Sequence, residues 1–178
     1  KQLINEADKV NIEKLLDIFD FYKFPYHNQI ILDFAKQKRT SKNRIVENAV
    51  EALKHLKSKD IRDFAIDKIK NSKNPIDFLE ILTSNYKSGD FKLLSEIADN
   101  TNNEHKIEQL AGTYTDIFKA NQTKECKQPL EILYNKMHCA IHRKGIVEIL
   151  IKNKVLSDKI KSEILFDSDL ETRNLTKW

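Results

Sequence analysis

An all-α fold is what this 178-residue sequence predicts, and three observations predict it. Apolar residues recur at helical spacing along most of the chain, and no segment sustains the period-two alternation of a strand. Glycine and proline number three each. That is too few for the turns of an all-β domain or the glycine-rich phosphate loops of a nucleotide-binding α/β fold. Charged residues make up 33% and apolar residues 40%, the mixture of amphipathic helices that each bury one face.

The first distinctive segment is FDFYKFPYH (Phe19–His27), with five aromatic residues in nine positions around Pro25. The expectation is that these rings fill the end of a helical array, the alternative being an exposed groove for a peptide or for bases. KQKRTSKNR follows, carrying Lys36, Lys38, Arg39, Lys42 and Arg44 without an acid. It bridges two helices and so displays its charge on a turn. These five residues are the candidate interaction surface, either gripping phosphates or lying as solvated cations at a helix C-terminus.

Beyond it the stripes run in order. Val46, Ala49, Val50, Leu53 and Leu56 form one helical face, and Ile61, Phe64, Ala65 and Ile69 the next. Leu79, Leu82 and Tyr86 follow, then Leu94, Ile97 and Ala98. The longest stripe is Ile107, Leu110, Ala111, Tyr114, Ile117 and Phe118. Leu130, Leu133, Tyr134 and Met137 come next, then Val147, Leu150 and Ile151, and finally Ile160, Ile164 and Leu165. Start signals fall at the breaks. Asn74 precedes Pro75 at a first helical position, and Thr101 with Glu104 and Ser168 with Glu171 fit capping boxes. Ser58, Asp90 and Ser157 are further N-cap candidates. About nine or ten helices joined by short connections result, packed as antiparallel neighbours, with no Pro- or Gly-rich linker dividing them. Residues 1–178 therefore read as one domain. Its first residue is Lys1, not Met, which is compatible with a fragment of a longer chain.

The net charge of +4 is modest and spread out, so neither nucleic acid nor an anionic membrane is demanded as a partner. No apolar run approaches the ~18 residues of a membrane span, and KQLINEADKV does not form a signal peptide. Two cysteines, Cys126 and Cys139, make no disulfide framework, which places the chain in a reducing, cytoplasmic setting. There is no P-loop, G-x-G-x-x-G, H-E-x-x-H or G-x-S-x-G, so no catalytic set and no cofactor is expected.

Chemistry concentrates in MHCAIHRKG (Met137–Gly145), where Cys139 and His142 stand three apart. A structural zinc site announces itself by two such pairs, and the other thiol, Cys126, lies 13 residues upstream. The expectation is that no metal binds. Cys139 and His142 are the candidates should one do so. A nucleophilic Cys139 would also need an orienting group and an oxyanion site, which nothing identifies.

Two segments share a pattern. SKDIRDFAIDKI (Ser58–Ile69) follows the alanine-bearing helix RIVENAVEALKHL, and FDSDLETRNL (Phe166–Leu175) sets Asp167 and Asp169 before Arg173. Arg62 and Arg173 lie 111 positions apart, three units of 37, near the ~40–47 of HEAT or armadillo units. Here the chain resembles the HEAT-repeat family, including its bacterial members, whose terminal unit carries a Cys-x-x-Cys-Arg turn before an apolar helix and an acidic "DSD" turn. Cys139 matches the first cysteine and Arg143 the arginine; His142 replaces the second cysteine, which argues against a redox dithiol. The resemblance implies an α-solenoid of antiparallel helix pairs, with Arg62, Asp167, Asp169 and Arg173 as structural repeat residues. It also implies a function: a non-enzymatic scaffold or protein-interaction module with a protein or peptide partner. The alternative it offers is a nucleic-acid binder similar to the HEAT-like DNA glycosylases for alkylated bases. Those hold the lesion in an aromatic cleft, and the one tryptophan here, Trp178, stands at the extreme end.

Overall fold

Helices are the regular elements of the computed structural model, which describes Leu3, Glu6 and residues 8–175. The nearest approach to a strand among the described residues is an isolated antiparallel bridge between Thr40 and Asn43. Trp178 lies outside the described residues. Eleven α-helices and four 3-10 segments are present among the described residues. The all-α expectation thus holds. The packing divides the chain, read above as one domain, into two compact units, Lys1–Asn85 and Tyr86–Trp178.

The first unit holds α1 (Lys9–Ile18), α2 (Gln29–Ala35), α3 (Ile45–Ala52), α4 (Lys59–Asn71) and α5 (Leu82–Asn85). Asp8 opens α1 by accepting from the Val10 N–H at 3.0 Å. The core helix is α3, against which α1, α2 and the segment Pro75–Ile81 pack. Val46, Ala49, Val50, Leu53 and Leu56 are all buried, and removing each Val or Leu from water contributes about 1.5–3 kcal/mol. Ser58 caps α4, its hydroxyl accepting from the Ile61 N–H at 3.1 Å.

Pro75–Ile81 is a 3-10 helix. Ile76, Leu79 and Leu82 recur every three residues, as do Phe78 and Ile81, and all five are buried. A three-residue turn puts such sets on common faces. Pro75 takes the first position as expected, but the Asn74 side chain makes no capping bond. Asn85, 4% exposed, closes the unit: its Nδ2 donates to the carbonyls of Leu56 (2.8 Å) and Ile81 (2.9 Å) while its Oδ1 accepts from the Ser58 N–H (3.3 Å).

The second unit holds α6 (Phe91–Asn100), α7 (Glu104–Ala120), α8 (Lys127–Lys136), α9 (Ala140–Lys152), α10 (Asp158–Glu163) and α11 (Leu170–Asn174). The full predicted stripe of α7 is buried, and the Tyr114 hydroxyl donates to the Leu94 carbonyl at 2.8 Å. Two caps differ from expectation. Asn103, not Thr101, caps α7, and Asp169, not Ser168, caps α11. Thr101 instead donates back to the Ile97 carbonyl. Helix α9 ends in a Schellman turn, with Val155 N–H on Leu150 O and Lys154 N–H on Ile151 O, and it places Lys154 at φ 58°. At the end of α6 the Lys136 ammonium donates to the carbonyls of Ala98 (3.0 Å), Asp99 and Thr101 (3.0 Å).

Alternate helices pack side by side in both units: α1 on α3, α6 on α8, and α7 on α9. The bonds between them fix direction. In the first unit Asn48 donates to the Glu13 carbonyl, and Lys54 and His55 reach Asp20. In the second, Tyr86 and Ser88 bind Glu125 before α8, and Ala98 and Thr101 meet Lys136 at its end. Starts meet starts and ends meet ends, so α1 runs parallel to α3 and α6 to α8. Each of these bonds joins residues 34 to 39 positions apart.

Candidate functional site

The aromatic segment after α1 does not bury as a block. Phe24 enters the core at 3% exposure and stacks edge-on with Phe19 (4.9 Å between centroids) and Tyr26 (5.5 Å). Phe21 and Tyr22, however, are 74% and 68% exposed, and Tyr26 is 46% exposed. The expectation that these rings fill a terminal core therefore holds for Phe24 alone. Phe21 and Tyr22 lie in the turn and bend that follow α1, where the Phe21 N–H still bonds the Ile18 carbonyl, ahead of the stretch from which Phe24 reaches inward. Asp20 pins the same loop: its carboxylate takes the Lys54 ammonium at 2.5 Å, and its carbonyl lies 2.7 Å from His55 Nε2.

The basic turn divides in two. Arg39 donates to Asp77 (2.7 Å), reaches Glu47 (3.4 Å) and lies over the Phe78 ring, 5.5 Å from its centroid. It therefore fastens the turn to the segment Pro75–Ile81. Arg44 reaches Glu51 at 3.5 Å. Lys36, Lys38 and Lys42 are exposed and form no ion pair among the described residues. Beside them is a cleft of about 240 Å³, lined in part by Lys36, Lys68, Ser72 and Lys73. The Ser72 hydroxyl there is buried without a hydrogen-bond partner.

The repeat residues separate as well. Arg62 donates to the Asn85 carbonyl at 2.6 Å and so joins α4 to the end of α5. Asp167 is held by a different arginine from the one the repeat pattern pairs with it. Arg143 Nε and Nη2 grip its carboxylate in a fork at 2.8 and 3.1 Å, while Arg143 Nη1 donates to the carbonyls of His138 (2.8 Å) and Met137 (3.2 Å). The Arg143 hydrogen bond holds the Asp167 carboxyl below the usual carboxylate range, against the opposing pull of burial. Asp169 accepts from the Thr172 N–H and hydroxyl, which lower its carboxyl in turn. The Arg173 side chain makes no hydrogen bond or ion pair among the described residues, and its buried Nε has no partner.

Arg143 thereby clamps the turn that begins α9, where Cys139 is the N-cap residue and His142 follows one turn later. The structure brings a third donor to this pair. Glu108 on α7 sets a carboxylate oxygen so that it, the Cys139 thiol and a His142 ring nitrogen all lie within 4.8 Å of one another. All three residues are half-buried. The His142 Nδ1 is buried and without a hydrogen-bond partner. Cys126 is elsewhere, fully buried at the start of α8, with its thiol pushed up to about 11 by burial. Glu108 escaped the sequence reading because it sits 31 residues before Cys139, on the polar side of a helix chosen for its apolar stripe. The signal that could have found it is that Glu108 shares a helical face with Gly112 and Thr115, and Thr115 is the residue that Gly145 of α9 lies against.

No helix among the described residues is long and apolar enough to cross a membrane. Compared with protein-family models, curated proteins and solved structures, the chain matches none.

Proposed function

We propose that this protein is a non-enzymatic interaction module built on HEAT-like helix pairs, binding a protein or peptide partner in a reducing, cytoplasmic setting. The observation that carries the reading is the pinned display of Phe21, Tyr22 and Tyr26. Large aromatic side chains held in water on an anchored loop resemble the anchors of a protein interface, where their burial supplies most of the affinity. Anchoring at Phe24 and Asp20 lowers the ordering entropy that binding must overcome. Parallel packing of alternate helices, with bonds 34–39 residues apart, supports the solenoid side of the proposal, since like helices of consecutive pairs stack this way.

The test is affinity capture with mass spectrometry, comparing the wild-type chain with the double variant F21S/Y22S. A partner enriched by the first and lost by the second, at equal helicity, supports the reading. Identical recoveries from both would refute it.

A nucleic-acid reading, similar to the HEAT-like glycosylases, rests on the unpaired Lys36, Lys38 and Lys42 beside their lysine-lined cleft. It requires affinity for a duplex or single strand that falls steeply from low to physiological salt and is lost when the three lysines are neutralised. Absence of binding at low salt would remove it.

A further inference from the structure

We propose that Glu108, Cys139 and His142 form a zinc site with one coordination position open to water. Four features of the second unit support it independently of the interaction surface, which lies in the first.

The geometry is near to that required. An ion centred among three donor atoms spaced at the 4.8 Å limit would sit about 2.8 Å from each, whereas zinc takes oxygen, nitrogen and sulfur at about 2.0–2.3 Å. An inward shift of well under ~1 Å per donor closes that gap, within the reach of side-chain rotation alone. The elements supplying the donors are themselves fixed. Arg143 fastens the start of α9 to Asp167 and to the Met137 and His138 carbonyls, so the turn bearing Cys139 and His142 is set before any ion arrives.

The donors are also unspent. Among the described residues the side chains of Glu108 and Cys139 form no hydrogen bond or ion pair, and the buried His142 Nδ1 has none. Buried ring nitrogens are normally satisfied, because an unpaired one has given up its water for nothing. Ligation of the ring, or a hydrogen bond to an ion's bound water, accounts for it.

The donor chemistry selects the ion. Thiolate with imidazole disfavours magnesium and calcium, which prefer all-oxygen shells, and favours zinc or its cobalt surrogate. One thiolate and one carboxylate neutralise a divalent charge. The count sets the type: structural zinc closes its shell with four protein ligands, but three leave a position for an exchangeable water. Half-burial of all three donors leaves a route in for both.

The experiment uses the full chain and the metal alone. Zinc affinity is measured by competition with a chromophoric chelator, and cobalt loading is followed by optical absorption. The expected result is one ion per chain, with a thiolate-to-cobalt charge-transfer band and the intense visible bands of a tetrahedral ion. C139S should abolish the charge-transfer band and weaken zinc by at least about 100-fold, H142Q by a similar factor, and E108Q by about 10-fold, extending the 10–100-fold losses seen even for outer-shell residues. C126S and H138Q should bind as the wild type does. A third readout needs no variant: saturating zinc should slow alkylation of Cys139 in the native wild-type chain. The proposal is overturned by any of three results. These are no stoichiometric binding at tenfold molar excess of zinc, unchanged affinity in C139S and H142Q, or cobalt spectra without thiolate ligation.

Discussion

Replacing Arg143 with alanine should destabilise the second unit by about 3–5 kcal/mol, the loss seen when one partner of a buried ion pair is removed. The magnitude follows from the surroundings. The Asp167 side chain is 4% exposed and that of Arg143 18%, so water can do little to replace the fork. Arg143→Ala strands a buried carboxylate whose one remaining backbone donor is the Asp169 N–H at 2.9 Å, and frees the Met137 and His138 carbonyls. Arg143→Lys keeps the charge but not the two parallel bonds, and should fall roughly midway. The assay is urea unfolding of the intact chain followed by circular dichroism, with pH as a second axis. The folded Asp167 carboxyl titrates below its unfolded value of about 3.9, so the pair's stabilisation is complete above that value. It is lost as pH falls through the lower folded value. The wild type should therefore lose stability below about pH 4 more steeply than R143A does. A loss under about 1 kcal/mol in R143A at neutral pH, the worth of an exposed pair, would refute the reasoning. So would parallel pH profiles.

Asn85→Ala removes three bonds at once and leaves the Leu56 and Ile81 carbonyls and the Ser58 N–H unpaired, so a loss of about 2–4 kcal/mol is expected by the same unfolding assay. A loss below ~1 kcal/mol would mean that water reaches the site. Lys154→Gly should raise stability by about 1 kcal/mol, because an L side chain at φ 58° carries a strain that glycine lacks; unchanged or lower stability would count against the turn as described. Alkylation of the native, metal-free chain, read by mass spectrometry, should mark Cys139 first and Cys126 only on unfolding, since the latter is fully buried with its thiol raised to about 11. Equal labelling would contradict that placement.

The sequence made most of the helical stripes legible because burial follows apolar spacing, although Ile151 and Leu165, assigned to the last two stripes, are exposed. The α7 stripe and the α4 residues Ile61, Phe64, Ala65 and Ile69 are buried without exception. Cap positions were less legible where several capable residues adjoin. Thr101 competes with Asn103, and Ser168 with Asp169, and only the path of the chain decides which side chain reaches a free N–H. The exposure of Phe21 and Tyr22 was invisible, since composition says that rings prefer the core but not how many one loop can insert. Arg143, matched as part of a turn, gave no sign of its partner 24 residues on. Glu108 was hidden for the same reason, because its role exists only once α7 lies beside α9.

Lys136 bears on how this chain could be modified. With so little glycine, the end of α6 is finished by an amine reaching over from the next helix pair, satisfying carbonyls that would otherwise face the interior or seek water. That amine is fully engaged, so an acetyltransferase could act on it only while the corner stands open. Once capped by an acetyl group, the nitrogen would have lost both its charge and two of its three donors. Acetylation at Lys136 would then record a past opening of the fold and hinder its reclosure.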